Sequence, residues 1–124
     1  MFVINADNSI YVTRGDMVSF DVTALDSTGA NYTFQQGDSL RFKVFAKKAC
    51  EEVVLQKDFP VEEVAQRVLI VLGGQDTKFG EVISKPTDYW YEVELNPMTN
   101  PQTLIGYDED GPKIFRLFPE GADL

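Results

Sequence analysis

Two stretches of this chain decide its fold: Arg14-Gly15-Asp16-Met17-Val18-Ser19-Phe20-Asp21-Val22-Thr23-Ala24-Leu25 and Gln36-Gly37-Asp38-Ser39-Leu40-Arg41-Phe42-Lys43-Val44-Phe45-Ala46. Each begins with a Gly-Asp turn and continues into a run in which every second residue is apolar. A period of two is typical of a strand with one face on a core and the other in water. Glycine gives a tight turn its backbone freedom, and aspartate can bond its own backbone there. The pattern therefore predicts an antiparallel β domain.

The alternating residues of these strands, with those of a third alternating segment at 89–95, are expected to share one core. Its expected members are Val18, Phe20, Val22, Leu40, Phe42, Val44, Tyr91, Val93 and Leu95, while Arg41 and Lys43 are expected outside it.

Turn residues divide the rest of the chain into short segments. Further strands are predicted at 9–13, 32–34, 52–59, 67–72, 102–107 and 113–118; a helical turn or loop is expected at 61–65 and a short helical crossover at 75–80. Segment 67–72 is apolar on both faces, which favours a central strand. Seven to nine short strands with little helix indicate a two-sheet antiparallel sandwich.

The composition is that of one soluble globular domain, a single β-sandwich spanning 1–124, with the core of the domain at about 8–118. The chain has 124 residues and a formal charge of −9. Twenty acidic against eleven basic residues would repel a phosphate backbone, so we expect no nucleic acid partner. The start of the chain lacks the features of a signal peptide, and its longest apolar run, 68–72, is too short to span a bilayer. We expect synthesis in the cytoplasm and no membrane insertion.

The residues show no reaction chemistry, and we expect neither enzyme activity nor a cofactor. The chain has no histidine and one cysteine, Cys50, which excludes Ser-His and Cys-His nucleophile pairs and His- or Cys-rich metal sites. Glutamates beside Cys50 disfavour its thiolate, so a buried or edge residue is expected. Segment 108–111 lacks the ligand spacing of a calcium loop, so no metal site is predicted. Glu92 and Glu94 share a strand face and are expected to face solvent.

Aromatic residues are the candidate interface residues: Trp90, Phe45, Tyr32 and Phe34. Alternation sets Trp90 opposite the face of Tyr89 and Tyr91. Trp90 is either covered by the rest of the fold, an anchor for a protein interface, or a platform for a sugar. The tripeptide at 14–16 matches the one that integrins read, but a turn between two strands explains it.

These segments resemble the immunoglobulin-like N-terminal domain of phage baseplate upper proteins, found in tailed phages and prophages of Gram-positive bacteria. The residues that carry the resemblance are Thr13 to Val22, Asp26 to Gly29, Gly37 to Val44 and Tyr89 to Leu95. It implies an immunoglobulin-like sandwich that serves as a non-enzymatic structural module of a tail or baseplate and resides in the virion. The implied partners are other tail proteins or further copies of the chain. The alternative is a carbohydrate- or cell-surface-binding module that uses exposed aromatic residues.

Overall fold

The computed structural model describes residues 1–121, and it is an all-β sandwich of nine strands, as predicted. The helical structure in residues 1–121 consists of one 3-10 turn, Asp76–Lys78, which lies within the predicted helical crossover. The strands are β1 (Phe2–Ile4), β2 (Ile10–Thr13), β3 (Val18–Val22), β4 (Ser39–Lys47), β5 (Glu51–Pro60), β6 (Val68–Leu72), β7 (Thr87–Leu95), β8 (Gln102–Ile105) and β9 (Lys113–Phe118).

The strands form one large and one small sheet. Seven strands make the large sheet in the order β1-β2-β9-β7-β4-β5, with β8 also paired to β7; β3 and β6 make the small one. One pairing departs from the antiparallel prediction, because β2 and β9 run parallel. A parallel pair needs a long connection, and nearly the whole chain connects these two strands. The prediction also missed β1, because Phe2, Val3 and Ile4 are all apolar and the sequence therefore shows no alternation there. In the structure Val3 and Ile4 are both exposed.

The core lies between the small sheet and the inner face of the large one. All nine predicted core residues are buried in it, and Arg41 and Lys43 lie on the outer face. Phe42 is at the centre of an aromatic cluster. Its ring stacks on Tyr91 at 5.4 Å between centroids and meets the edges of Phe20 and Phe115. Alternation therefore predicted the inward faces of β3, β4 and β7 correctly.

Residues 61–65 form a loop, one of the two alternatives predicted for them, whereas two other local predictions were wrong. Strand β6 is not central, since it pairs with β3 alone. The strand expected at 32–34 is reduced to a single bridge between Phe34 and Ala65, and Phe34 is fully buried in the core. In each case long-range packing, rather than the local pattern, decides the neighbours of the segment.

The turn at 14–16 holds the large sheet to the 3-10 turn. Gly15 has a φ of 93°, a conformation that favours glycine, and its N–H donates to Thr77 Oγ1 at 2.9 Å. The Thr77 hydroxyl lies 2.9 Å from the Asp16 carbonyl, to which it donates. Arg14 donates to the Lys78 carbonyl. The tripeptide is thus used by the fold itself.

We expect Thr77→Val to lower the free energy of unfolding by about 1–2 kcal/mol, because it leaves the Gly15 N–H and the Asp16 carbonyl without this partner. Thr77 is fully buried, so water does not replace the hydroxyl easily. Urea unfolding measures the loss. The exposed Thr103→Val is the matched control and should change stability by less than about 0.5 kcal/mol. Equal stability of the two variants would contradict this role of Thr77.

Candidate functional site

Four apolar side chains lie in one row across the outer face of the large sheet. Phe45 pairs with Val53 of β5 on one side and with Trp90 of β7 on the other, and Trp90 pairs with Ile114 of β9. Trp90 lies between two inward-facing tyrosines, so its own side chain faces outward. We call these residues, Val53, Phe45, Trp90 and Ile114, the outer row.

The outer row combines covered and accessible side chains. Trp90 and Ile114 are half-buried, and Val53 is 47% exposed. Phe45 is only 4% exposed, between its neighbours in the row. Val53, Trp90 and Ile114 therefore form the accessible surface of the outer row, whereas Phe45 is covered.

A groove of about 360 Å³ runs along one end of the outer row. Trp90 and Ile114 line it, together with Tyr107, which is 74% exposed. Its other lining residues are Lys48, Asp88, Asp110, Gly111 and Pro112. Two aromatic rings and several charged groups thus surround one open space.

One charged pair, Arg116 of β9 with Asp88 of β7, flanks one side of the outer row. Arg116 donates two hydrogen bonds to the Asp88 carboxylate, at 2.6 and 3.3 Å. Its guanidinium also lies 4.9 Å from the centroid of the Tyr11 ring, as in a cation–π contact. Hydrogen bonding to Asp88 raises the pKa of Arg116, so its guanidinium remains charged.

Charged residues also flank the outer row on its other side. Lys43 Nζ lies 3.1 Å from Glu94 Oε1, and Arg41 pairs with Asp58 at 2.8 Å. Burial, followed by repulsion from Glu94, raises the pKa of Glu92. Glu92 and Glu94 were expected to face solvent; they do lie on the outer face, but both are half-buried. The outer row is therefore an apolar strip between two charged borders.

Cys50 lies in the turn between β4 and β5 and is half-buried. Burial and, second, the charge of Glu92 raise the pKa of its thiol. The glutamates next to Cys50 in sequence were expected to disfavour its thiolate. The glutamate that raises the thiol pKa is instead Glu92, which lies in β7. The thiol is thus poorly suited to act as a nucleophile.

The structure separates the four predicted interface residues. Phe45 and Trp90 are neighbours in the outer row, whereas Tyr32 and Phe34 pack on each other elsewhere, with ring centroids 5.3 Å apart. Tyr32 donates to Asp38 at 2.7 Å. Because Phe34 has no exposed surface, it is a core residue and offers nothing to a partner.

Sequence analysis missed Tyr107, Ile114 and Val53. Ile114 could have been found, since it precedes the core residue Phe115 in an alternating strand. Val53 lies opposite a register shift between Val44 and Phe45, and such a bulge changes which residues face outward. Tyr107 is in a loop, where no periodicity indicates its position.

Two further features concern the described residues alone. Within 1–121, no three Asp, Glu or Cys side chains gather as metal ligands; Asp108 instead bonds Lys113 at 2.8 Å. In the same range no helix has the length and apolarity to cross a membrane.

No family model matches this chain, and no curated protein or solved structure matches it either. The outer row, its groove and its charged borders are the features of residues 1–121 that bear on function.

Proposed function

We propose that this protein is a non-enzymatic structural module of a phage or prophage tail or baseplate, and that it docks on another tail protein through the outer row. The observation that carries the proposal is the apolar strip between charged borders on a sheet face. Protein interfaces commonly have an apolar, aromatic centre and a polar rim. Tryptophan is also among the residues that contribute most to binding when they lie near the centre.

The charged borders suit the outer row to binding one specific partner rather than apolar surfaces in general. Arg116–Asp88 and Lys43–Glu94 are pairs within the chain, so their charges are largely compensated before a partner arrives. A partner must therefore match an apolar strip and avoid unpaired charges beside it. Such matching favours one fixed docking geometry, as a repeated assembly requires.

The resemblance to baseplate upper proteins supports assembly as the purpose of this surface. Two of the segments that carry it, 37–44 and 89–95, lie in or next to β4 and β7, the strands that hold Phe45 and Trp90. A module of this kind is made in the bacterial cytoplasm and becomes part of the virion tail.

The test is recovery of a tail protein from a phage-induced lysate by the immobilised chain. We expect Trp90→Ala to lower recovery at least about tenfold, because hot-spot aromatic residues contribute 2 kcal/mol or more. Met17→Ala, which truncates an apolar residue that is 59% exposed outside the outer row, is the control and should recover the same protein as the unchanged chain. Equal recovery by all three would place the docking surface elsewhere.

Carbohydrate binding is the second candidate, and the groove between Trp90 and Tyr107 is the observation that favours it. Aromatic rings can stack on the apolar faces of sugars, and carboxylates such as Asp110 accept hydrogen bonds from their hydroxyls. Trp90 is the only tryptophan, so its fluorescence reports directly on this groove during a titration with cell-wall glycans. A glycan response that Tyr107→Ala abolishes, with no tail protein recovered, would replace assembly by sugar binding.

A further inference from the structure

Strand β6 is an edge strand with the composition of a central one. Its five residues are Val68-Leu69-Ile70-Val71-Leu72, with no charged, proline or glycine residue among them. It pairs with β3 on one side. Among residues 1–121, no hydrogen bond other than those of the β3 ladder involves the backbone of 68–72. The other side of β6 therefore presents free backbone donors and acceptors.

The other free edges of the fold carry features that oppose pairing with another chain. Strand β5 has a register shift, two glutamates at its start and Pro60 at its end. Strand β1 has three residues, β8 has four residues and a register shift in its ladder with β7, and β3 carries the exposed Asp21. Natural proteins protect sheet edges with such charges, prolines, bulges and short strands. Strand β6 lacks all of these protections, which is expected where pairing is functional.

We infer that β6 pairs antiparallel with β6 of a second copy of this chain, about a twofold axis at Ile70. In this register Leu69 lies opposite Val71 of the second copy, and Val68 lies opposite Leu72 of the second copy. Each apolar residue thus meets an apolar residue, and the two small sheets become one sheet of four strands, β3-β6-β6-β3. A twofold pairing is closed and uses the same residues of both copies.

The self-complementary apolar register is the reason that the occupant is a second copy, and charge is the reason that the second copy uses β6 rather than another edge. With a net charge of −9, two copies repel each other over most of their surfaces. Self-pairing of β5 would bring its glutamates and Asp58 close to those of the other copy, whereas β6 brings no charge to the junction. The outward face also gains, because Leu69 is 51% exposed in the single chain.

This inference does not rest on the proposed function. The outer row is on the large sheet and β6 is in the small one, so a dimer can form with or without a tail protein bound. Trp90→Ala is therefore expected to leave the dimer intact. Loss of one interaction and persistence of the other separates the two proposals experimentally.

Sedimentation velocity over a range of concentrations tests the dimer. A five-residue junction is small, so we expect a concentration-dependent equilibrium between monomer and dimer. Leu69→Lys should raise the dimer dissociation constant at least about tenfold, since it places a charge opposite Val71 of the second copy. The substitution also reduces the net charge of −9 by one, so general repulsion cannot explain the loss.

Val3→Lys is the matched control. It makes the same charge change on an edge strand, β1, at a residue that is 42% exposed, and it should leave the dimer unchanged. Circular dichroism checks that both variants are folded. A chain that is monomeric at its highest soluble concentration, or equal dimerisation of both lysine variants, would overturn the inference.

Disulfide cross-linking tests the register. In a Cys50→Ser background, Leu69→Cys and Val71→Cys are prepared as separate proteins and then mixed under oxidising conditions. Residues directly opposite on antiparallel strands are close enough for a disulfide, with Cα atoms about 4.5–5.5 Å apart. We expect the mixture to cross-link and each protein alone to cross-link much less. Equal cross-linking without mixing would contradict the twofold axis at Ile70.

Discussion

Replacing Phe42 with alanine is expected to lower the free energy of unfolding by about 3–5 kcal/mol, the range for a fully buried phenylalanine. Phe42 has no exposed surface and lies where the two sheets meet. Its ring contacts Phe20 of the small sheet and Tyr91 and Phe115 of the large one, so truncation opens a cavity between both layers. Neighbouring aromatic rings are too rigid to fill that space fully.

Denaturant unfolding measures this loss, with Tyr107→Ala as the control. Tyr107 is also aromatic but is 74% exposed, so its truncation should cost less than about 0.5 kcal/mol. A loss below about 1 kcal/mol for Phe42→Ala would mean that the ring does not join the two layers.

Gly74→Ala should lower the free energy of unfolding by about 2–3 kcal/mol, as for overpacking against groups that cannot move apart. A Cβ at position 74 would lie 2.6 Å from the carbonyl oxygen of Gly15. That oxygen belongs to the backbone of the turn at 14–16, which Thr77 also holds in place. The clash therefore pushes the β2–β3 turn away from the residues that follow β6.

The preceding glycine provides a matched control. A Cβ at Gly73 would meet nothing nearer than Asp76 Oδ2, at 3.7 Å, which is ordinary contact. Thermal unfolding of Gly73→Ala should resemble that of the unchanged chain, while Gly74→Ala should unfold at lower temperature. Equal midpoints for the two variants would show that the turn does not approach Gly74 this closely.

Strand positions were predictable from the sequence wherever one face is buried and the other is not. Alternation through Phe20, Phe42 and Tyr91 follows directly from the two-residue period of a strand, and all three are in the core. The outward direction of Trp90 follows from the same rule.

Strand neighbours were less predictable, because pairing depends on contacts far apart in the chain. Nothing local to β2 indicates a parallel partner more than one hundred positions later, and β6 is apolar on both faces although it has a single partner. Phe34 was misjudged for the same reason: its neighbours in sequence are polar or exposed, but the bridge to Ala65 places its ring in the core.

The candidate site was half predictable. Trp90 and Phe45 were among the predicted interface residues, and the register makes them neighbours. Their meeting with Val53 and Ile114 depends on four strands and one register shift, which the sequence does not determine locally. The charged borders are likewise a product of the register, since Arg116 and Asp88 are distant in the chain.

The most direct test of the outer row as a docking surface is fluorine NMR on the chain labelled with 5-fluorotryptophan. Trp90 is the only tryptophan, so an unlabelled tail protein adds no signal of its own. On saturation with the recovered tail protein, we expect the single resonance to shift and to lose its sensitivity to exchange of H2O for D2O. An unchanged resonance in a fully formed complex would contradict docking through the outer row.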